Sequence, residues 1–421
     1  MQNESVIVCR AMNTISKINI KNYRSCVNTN ADFKGNLTTL IGINGAGKSN
    51  ILNAIRLLKS TRRNRYLNSK IAKGQLSHSK LKFNLSIEDH NYDVKADVFF
   101  DTDERNQEDV YSSALSYKKA DSKTWVDINY DLLEIVQHLQ FSKRSDLSQL
   151  EHIYRRGSKM SMEDAKTAVK IVDFLSGISY YSATQFSDPS KCPVSIELED
   201  GKFNTSHSFR SGRPHEKFLF DLYTVWNERA KNPTFDRYLN TVNQSGIGLI
   251  EDIAFLNQDL PSSTYVVRSG GRVSKVDKNR EIIVPSITLD GLTLSPNQLS
   301  EGTFKTLVLV FYILADKSDL LLIEEPEVCV HHGLLNSIIE LLKVRSKNKQ
   351  IIISTHSDFV LDHLSPENLL LVSKKDRMGT IAKPLSSSLS KNDYVALKEY
   401  LNSSGNLGEY WKEGGFEYAK D

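Results

Sequence analysis

Leu40-Ile41-Gly42-Ile43-Asn44-Gly45-Ala46-Gly47-Lys48-Ser49 is the stretch from which the rest of the chain can be read. Two glycines five apart, followed by Lys and then Ser, form the pattern of a phosphate-binding loop. Gly42, Gly45 and Gly47 let the backbone curl until successive N–H groups point into one concavity suited to phosphate oxygens. Lys48 brings a full positive charge to the β- and γ-phosphates, and the Ser49 hydroxyl can take a place on Mg²⁺. Upstream, Thr38-Thr39-Leu40-Ile41 reads as a buried strand entering the loop. Downstream, a helix is predicted from about Gly47 through Leu58, its positive end facing the same phosphates. Strand, loop and helix in that order are the context the motif requires, so a nucleotide site is expected here.

Bulk properties set the frame. A chain of 421 residues can bury a large core and is expected to hold two or more lobes. Its 39% hydrophobic and 25% charged residues describe a globular protein. No apolar run reaches the ~18 residues of a membrane span, and the N-terminus lacks the basic start and long apolar segment of a secretory signal. Cys9, Cys26, Cys192 and Cys329 lie far apart with no CxxC pair, which argues against a zinc cage or disulfide framework and suits a reducing cytoplasm. A net charge of +3 is too small to imply nucleic acid by itself.

Along the chain, Thr14–Ile20 alternates as a strand and leads through Asn22-Tyr23-Arg24-Ser25 to the loop. Arg56 to Lys73 carries seven basic residues and no acid, either a solvated helix end and loop or a nucleic-acid or partner-docking surface. Leu81–Ile87 and Tyr92–Phe100 read as two strands around the turn Glu88–Asn91. The acidic and polar run Asp101–Asp109 suggests a domain boundary. Beyond it, Asp131–Phe141, Met162–Leu175, Glu216–Ala230 and Phe235–Gln244 suggest helices, with a charged stretch at 143–159. A strand near 178–184 is expected to return to the core. A basic ribbon near 263–287, turning at Gly270-Gly271, carries Arg268, Arg272, Lys275, Lys278 and Arg280.

The C-terminal third supplies further chemistry. Asp319–Glu327 is an apolar strand ending in acids, with Glu324 placed for a metal shell and Glu325 to orient or deprotonate water. Leu299-Ser300-Glu301-Gly302-Thr303-Phe304-Lys305 introduces an apolar helix, with Ser300 as N-cap and Gly302 keeping the first turn open to anions. Gln350–Ser357 is another buried strand, ending in Ser354-Thr355-His356-Ser357, where His356 suits a γ-phosphate contact.

Phosphate loop, LSxGxxK segment, EE-P-E strand and STHS strand, in this order, resemble an ABC-type ATPase head of the RecF/SMC class. Within that class the chain is most similar to the ATPase domain of OLD-family proteins and to stand-alone ATPases of bacterial anti-phage systems such as Septu, Gabija and PARIS. Ile18–Ser25 resembles the family's opening strand with its arginine, here Arg24, and Asn44 and Asn50 sit where its loop usually has Asn. Gly408–Gly415 resembles its closing segment. The resemblance implies an α/β fold: a P-loop head with a mixed β-sheet core, flanking helices and a largely helical insertion. Residues 1–105 and 285–421 would form the head, and 106–284 the insertion or lid.

It further implies ATP and Mg²⁺ as cofactors and a head-to-head dimer. Ser300 and Gly302 of one subunit would close over ATP held in the other by Arg24 and by the loop from Asn44 through Gly45, Ala46, Gly47, Lys48 and Ser49 to Asn50. Glu325 would be the catalytic base, with His356 and Lys48 acting on the γ-phosphate. Ser49, Glu324 and Gln75 would form the magnesium side. The chain departs from the family at Glu324, where an Asp is usual, and at Val330-His331-His332, where LHP is usual; both histidines read as structural. About 60 residues follow the STHS strand, too few for the Toprim nuclease of full OLD proteins. A separate effector, plausibly a nuclease, is therefore expected. Three functions stay open: a cytoplasmic anti-phage ATPase subunit with such a partner, a RecF-like DNA-binding ATPase, and an ATP-dependent scaffold without turnover. No membrane partner is expected.

Overall fold

Period-two alternation builds the first sheet. In β1 (Thr14–Tyr23), Ile15, Ile18, Ile20 and Tyr23 are buried while Lys17 and Lys21 are exposed. The computed structural model describes residues 12–59, 65–66, 78–103, 108–128, 161–199, 202–203, 214–268, 272–328, 330–403 and 405–414. Its contacts divide the chain into two units. The first holds Met1–Tyr180, Lys317–Glu325 and Leu342–Asp421; the second holds Tyr181–Asp316 and Pro326–Leu341.

In the first unit, β1 pairs with β2 (Cys26–Asp32), and the strand after β2 is β3 (Leu37–Ile41). The antiparallel sheet continues through β4 (Arg65–Tyr66), β5 (His78–Ile87), β6 (His90–Asp103), β7 (Glu108–Lys119) and β8 (Val126–Asp127). Its order is β2–β1–β5–β6–β7–β4, with β8 on β7. The buried faces of β1 and β5 share one core with α1 (Lys48–Leu58) and α2 (Met162–Gly177). The turn joining β5 to β6 is tighter than expected: His90 and Asn91 already pair with Ile87 and Ser86, leaving Glu88 and Asp89 at φ 49° and 65°. Two positive φ values match the twist of a two-residue hairpin turn.

Of the run 101–109, expected as a boundary, the described residues Asp101, Thr102 and Asp103 belong to β6 and pair with Val110, Asp109 and Glu108 of β7. Backbone hydrogen bonding does not require apolar side chains, so these polar residues pair as strand, and β6 and β7, on either side of the expected 105/106 border, belong to one sheet. The second sheet of this unit is the one that positions the site. It contains β15 (Leu320–Glu324), β16 (Gln350–Thr355), β17 (Leu369–Lys375) and β18 (Gly379–Pro384) in the order β18–β17–β3–β16–β15, with β9 (Ser179–Ser182) at the edge. β17, β3, β16 and β15 run parallel. Their near-continuous aliphatic sequences match strands covered on both faces.

The second unit combines a sheet with helices. β10 (Ile196–Glu199), β11 (Lys202–Phe203), β12 (Asp252–Arg268), β13 (Arg272–Leu289) and β14 (Leu292–Leu294) form an antiparallel sheet in the order β11–β10–β13–β12, with β14 on β13. The ribbon is longer than expected, pairing from Asp252↔Thr288 to Arg268↔Arg272. Strand therefore takes a large share of the 106–284 region beside α2, α3 (Pro214–Asn227) and α4 (Thr234–Val242). At the centre lies α5 (Glu301–Leu314), buried almost all round and ringed by Tyr181, Phe186, Phe218 and Tyr238. The helix expected at 131–141, the charged stretch at 143–159, the Gly270-Gly271 turn, the side chains of Arg268, Arg272, Lys275 and Lys278, and most of the basic stretch beyond Lys59 lie outside the described residues. So does Gln75. Among the described residues no helix is long and apolar enough to cross a membrane.

Candidate nucleotide site

All five residues of β3 are buried, and the chain leaves the sheet at Gly42 to form the loop before α1. Gly45 and Gly47 adopt φ 83° and 107°, and Gly47 is the N-cap of α1. The helix buries Ile51, Leu52, Ile55, Leu57 and Leu58. At about 1.5–3 kcal/mol for each such side chain, this packing anchors the helix, and with it the N–H groups of its first turn, against the core. Ile43, Asn44 and Gly45 are exposed, Ala46 is buried, and Ser49 and Asn50 are half-buried at the first turn. Lys48, only 6% exposed, donates from Nζ to the carbonyls of Gly42 at 2.5 Å and Ile43 at 3.2 Å. Its ammonium thus spans the concavity that the loop encloses.

A polar network braces the loop from β18 and the β1–β2 turn. Thr380, fully buried, donates from Oγ1 to the Ala46 carbonyl at 3.0 Å and lies 2.7 Å from Ser25 Oγ. Asn50 Nδ2 donates to Ser25 Oγ at 2.7 Å, and the Thr380 N–H donates to the Ser25 carbonyl at 2.8 Å. Arg24, held at φ 50°, directs Nη1 to Asn50 Oδ1 at 3.4 Å. Burial pushes the neighbouring Cys26 thiol up to about 11, so it stays protonated and unreactive beside the loop.

The acids arrive on the same edge of the sheet. Glu324 pairs in register with Ser354, and Ser354 with Leu40. With strands about 4.8 Å apart, this puts the end of β15 about 10 Å from the end of β3. Tyr180 donates its hydroxyl to Glu324 Oε2, and the Arg56 guanidinium lies 4.4 Å over the Tyr180 ring. Glu325 turns the chain out of the sheet at φ 49°, while its N–H donates to the Ser354 carbonyl at 2.9 Å. His356, just past β16, places Nδ1 3.4 Å from Glu325 Oε1. The closing segment packs behind this edge: the Gly408 N–H donates to Asp362 Oδ1 at 2.7 Å, and Lys412 pairs with Asp358. A Cβ on Gly408 would stand 2.4 Å from that same oxygen.

Ser49 and Glu324 are a hydroxyl and a carboxylate, hard oxygen donors of the kind Mg²⁺ takes alongside phosphate oxygens and water. Ser300 and Gly302 belong to the second unit, where Ser300 caps α5 by accepting from the Thr303 N–H at 3.2 Å. Lys305 is buried and pairs with Glu301 at 2.6 Å. Phe304 stacks on His215 with ring centroids 5.4 Å apart. His331 accepts from the Gly333 N–H at Nδ1, 3.2 Å.

Two protein-family models match the chain. Residues 14–187 match the family described as "AAA ATPase domain", and residues 194–362 match "AAA domain, putative AbiEii toxin, Type IV TA system". Both descriptions support an ATPase function. No curated protein matches the sequence. Among solved structures, the SMC head domain from Thermotoga maritima aligns at 13% identity and TM-score 0.41, covering 88% of this chain and 98% of that one. The Smc head domain with an extended coiled coil, bound to the C-terminal domain of ScpA from Pyrococcus furiosus, aligns at 13% and 0.42, covering 93% and 100%. An SmcHead bound to the C-winged helix domain of ScpA aligns at 13% and 0.44, covering 87% and 96%.

The fold therefore brings Arg24, Asn44–Asn50, Glu324, Glu325 and His356 into one unit, with the loop and both acids on one edge of one sheet. Three contributors owe their contacts to residues distant in sequence. Thr380 reaches the loop across 334 positions and Tyr180 reaches Glu324 across 144. Ser25 stood in a quoted motif, yet its partners are Asn50 and Thr380.

Proposed function

We propose that this chain is an ATP-binding and hydrolysing ABC-type subunit. It dimerises head to head around ATP and gates a separate effector, a nuclease, in defence against phage. The observation that carries the reading is the parallel register of β3, β16 and β15, with Lys48 and Ser49 beyond the first, His356 beyond the second, and Glu324 and Glu325 at the third. In this reading the loop N–H groups and Lys48 would hold the triphosphate, and Ser49 and Glu324 would hold Mg²⁺. The ion, when bound, neutralises charge on the β- and γ-oxygens. Glu325 takes a proton from the attacking water, and His356 orients that carboxylate and meets the γ-phosphate. Ser300 and Gly302, at the capped start of α5, meet the phosphates of a second copy. The mention of a Type IV toxin–antitoxin system in one matching family's description accords with a defence role.

Glu325→Gln tests the chemistry. It should leave ATP binding intact, lower phosphate release by about 10²–10⁴-fold, and accumulate ATP-bound dimers. Turnover at the wild-type rate would mark the chain as a non-hydrolysing scaffold. Purification with the proteins of neighbouring genes tests the defence role, since a gated effector should come with the chain.

One surface favours a second reading, a DNA-binding ATPase. On the exposed side of the first sheet, Lys21 stands opposite Lys80 and Lys82 opposite Lys95. Like charges directly opposite each other repel; Asp97 lies 3.9 Å from Lys80 and the Trp125 ring 3.4 Å from Lys95, while Lys21 and Lys82 are exposed on the same face. DNA binding on this face would weaken steeply with salt and be lost on charge reversal at Lys21 and Lys82. A salt-independent interaction would exclude it.

A further inference from the structure

Glu324 is one methylene longer than an aspartate would be at the same place. A longer side chain has more rotamers, and a carboxylate that wanders makes a poor metal ligand. The geometry points to Tyr180 as the positioning residue that fixes Glu324 for the magnesium shell. This inference rests on the proposed role of Glu324 at the metal.

The contacts form a continuous line. Arg56 sits in the last turn of α1, the helix that begins at Lys48. Its guanidinium lies 4.4 Å over the Tyr180 ring, a cation–π contact that sets the plane of the ring. The ring belongs to β9, the edge strand of the sheet that carries the site, and is half-buried against the core of the first unit. Its hydroxyl donates to Glu324 Oε2. With that oxygen held by a hydrogen bond, Oε1 is left as the oxygen that would hold the ion. The helix that positions the phosphates thus also positions the carboxylate, through a ring between them. Carboxylates that bind metals are ordinarily held in this way by an outer partner, and losing that partner costs about 10- to 100-fold in metal affinity.

Binding of ATP, measured calorimetrically in EDTA and across a Mg²⁺ titration, tests this without relying on turnover. The variants are Tyr180→Phe, Glu324→Gln, Glu324→Asp and the double variant Tyr180→Phe/Glu324→Asp. Tyr180→Phe should raise the Mg²⁺ concentration for half-maximal gain in ATP affinity by about 10-fold, with affinity in EDTA unchanged. In the Glu324→Asp background, where the shorter carboxylate draws back from the ring, removing the hydroxyl should cost nothing more. A Tyr180→Phe protein with wild-type Mg²⁺ dependence would overturn the inference, as would equal weakening in EDTA or a full 10-fold cost retained in the Asp background. Glu324→Gln separates the two levels. It should abolish the Mg²⁺-dependent gain, and an undiminished gain would instead remove Glu324 from the metal shell.

Discussion

His356 Nδ1 stands 3.4 Å from Glu325 Oε1, although the two residues lie 31 positions apart at the ends of neighbouring parallel strands. Glu325 reaches this position because its backbone adopts φ 49°, a left-handed conformation that costs a non-glycine residue about 1–3 kcal/mol. Its N–H bond to the Ser354 carbonyl helps to hold the turn. Strain held beside a candidate base suits a carboxylate whose direction matters more than local stability. His356→Ala should therefore lower kcat by at least about 10²-fold with little change in ATP affinity, measured by steady-state phosphate release and by nucleotide titration.

Thr380 is where the fold touches the loop from behind. Thr380→Val keeps the volume but leaves the Ala46 carbonyl and Ser25 Oγ without that partner, at a cost of about 1–3 kcal/mol. Denaturant unfolding should show the loss, and ATP affinity should fall with it. Thr380→Ser, which keeps the oxygen, should recover most of both.

Gly47 tests the same contact from the other side. A Cβ there would stand 2.0 Å from Thr380 Oγ1, and φ 107° disfavours any L side chain. Gly47→Ala should be destabilised by more than about 1 kcal/mol and lose ATP binding. Lys48→Ala, which adds no such strain, should fold normally and yet lose turnover.

His215 gives the second unit a pH dependence. Burial holds its pKa below the ordinary histidine value, Lys191 pushes the same way, and Asp188 opposes them. The unfolded chain then binds the proton more readily than the folded one. Stability is full above about pH 6.5 and falls as pH drops below it, by up to about 1.4 kcal/mol per pH unit for one group. Thermal unfolding between pH 5 and 8 should show this fall, and His215→Phe, stacked on Phe304 in the same place, should flatten it.

Where the sequence was informative, the reason is physical. A glycine-spaced loop between a buried strand and a helix has few structural solutions, and aliphatic runs ending in Glu324 or His356 read directly as covered strands. Ser300 before an apolar helix is a local N-cap signal, and the structure forms that cap. The strand ends at 101–103 and 108–109 were not legible because strand pairing is a backbone property that persists where side chains lose their pattern. The ribbon was seen too short because Pro261 and the polar residues after it interrupt an alternation that pairing to β13 sustains. Tyr180 and Thr380 were invisible because their partners are brought to them by tertiary folding alone.

The most direct measurement is ATP turnover per subunit as a function of protein concentration. A site shared between two copies predicts that specific activity rises with concentration and then levels off as dimers form. Addition of excess Lys48→Ala subunits should alter that curve by forming mixed pairs. Specific activity that stays constant through dilution to a chain sized as a monomer would contradict assembly around ATP.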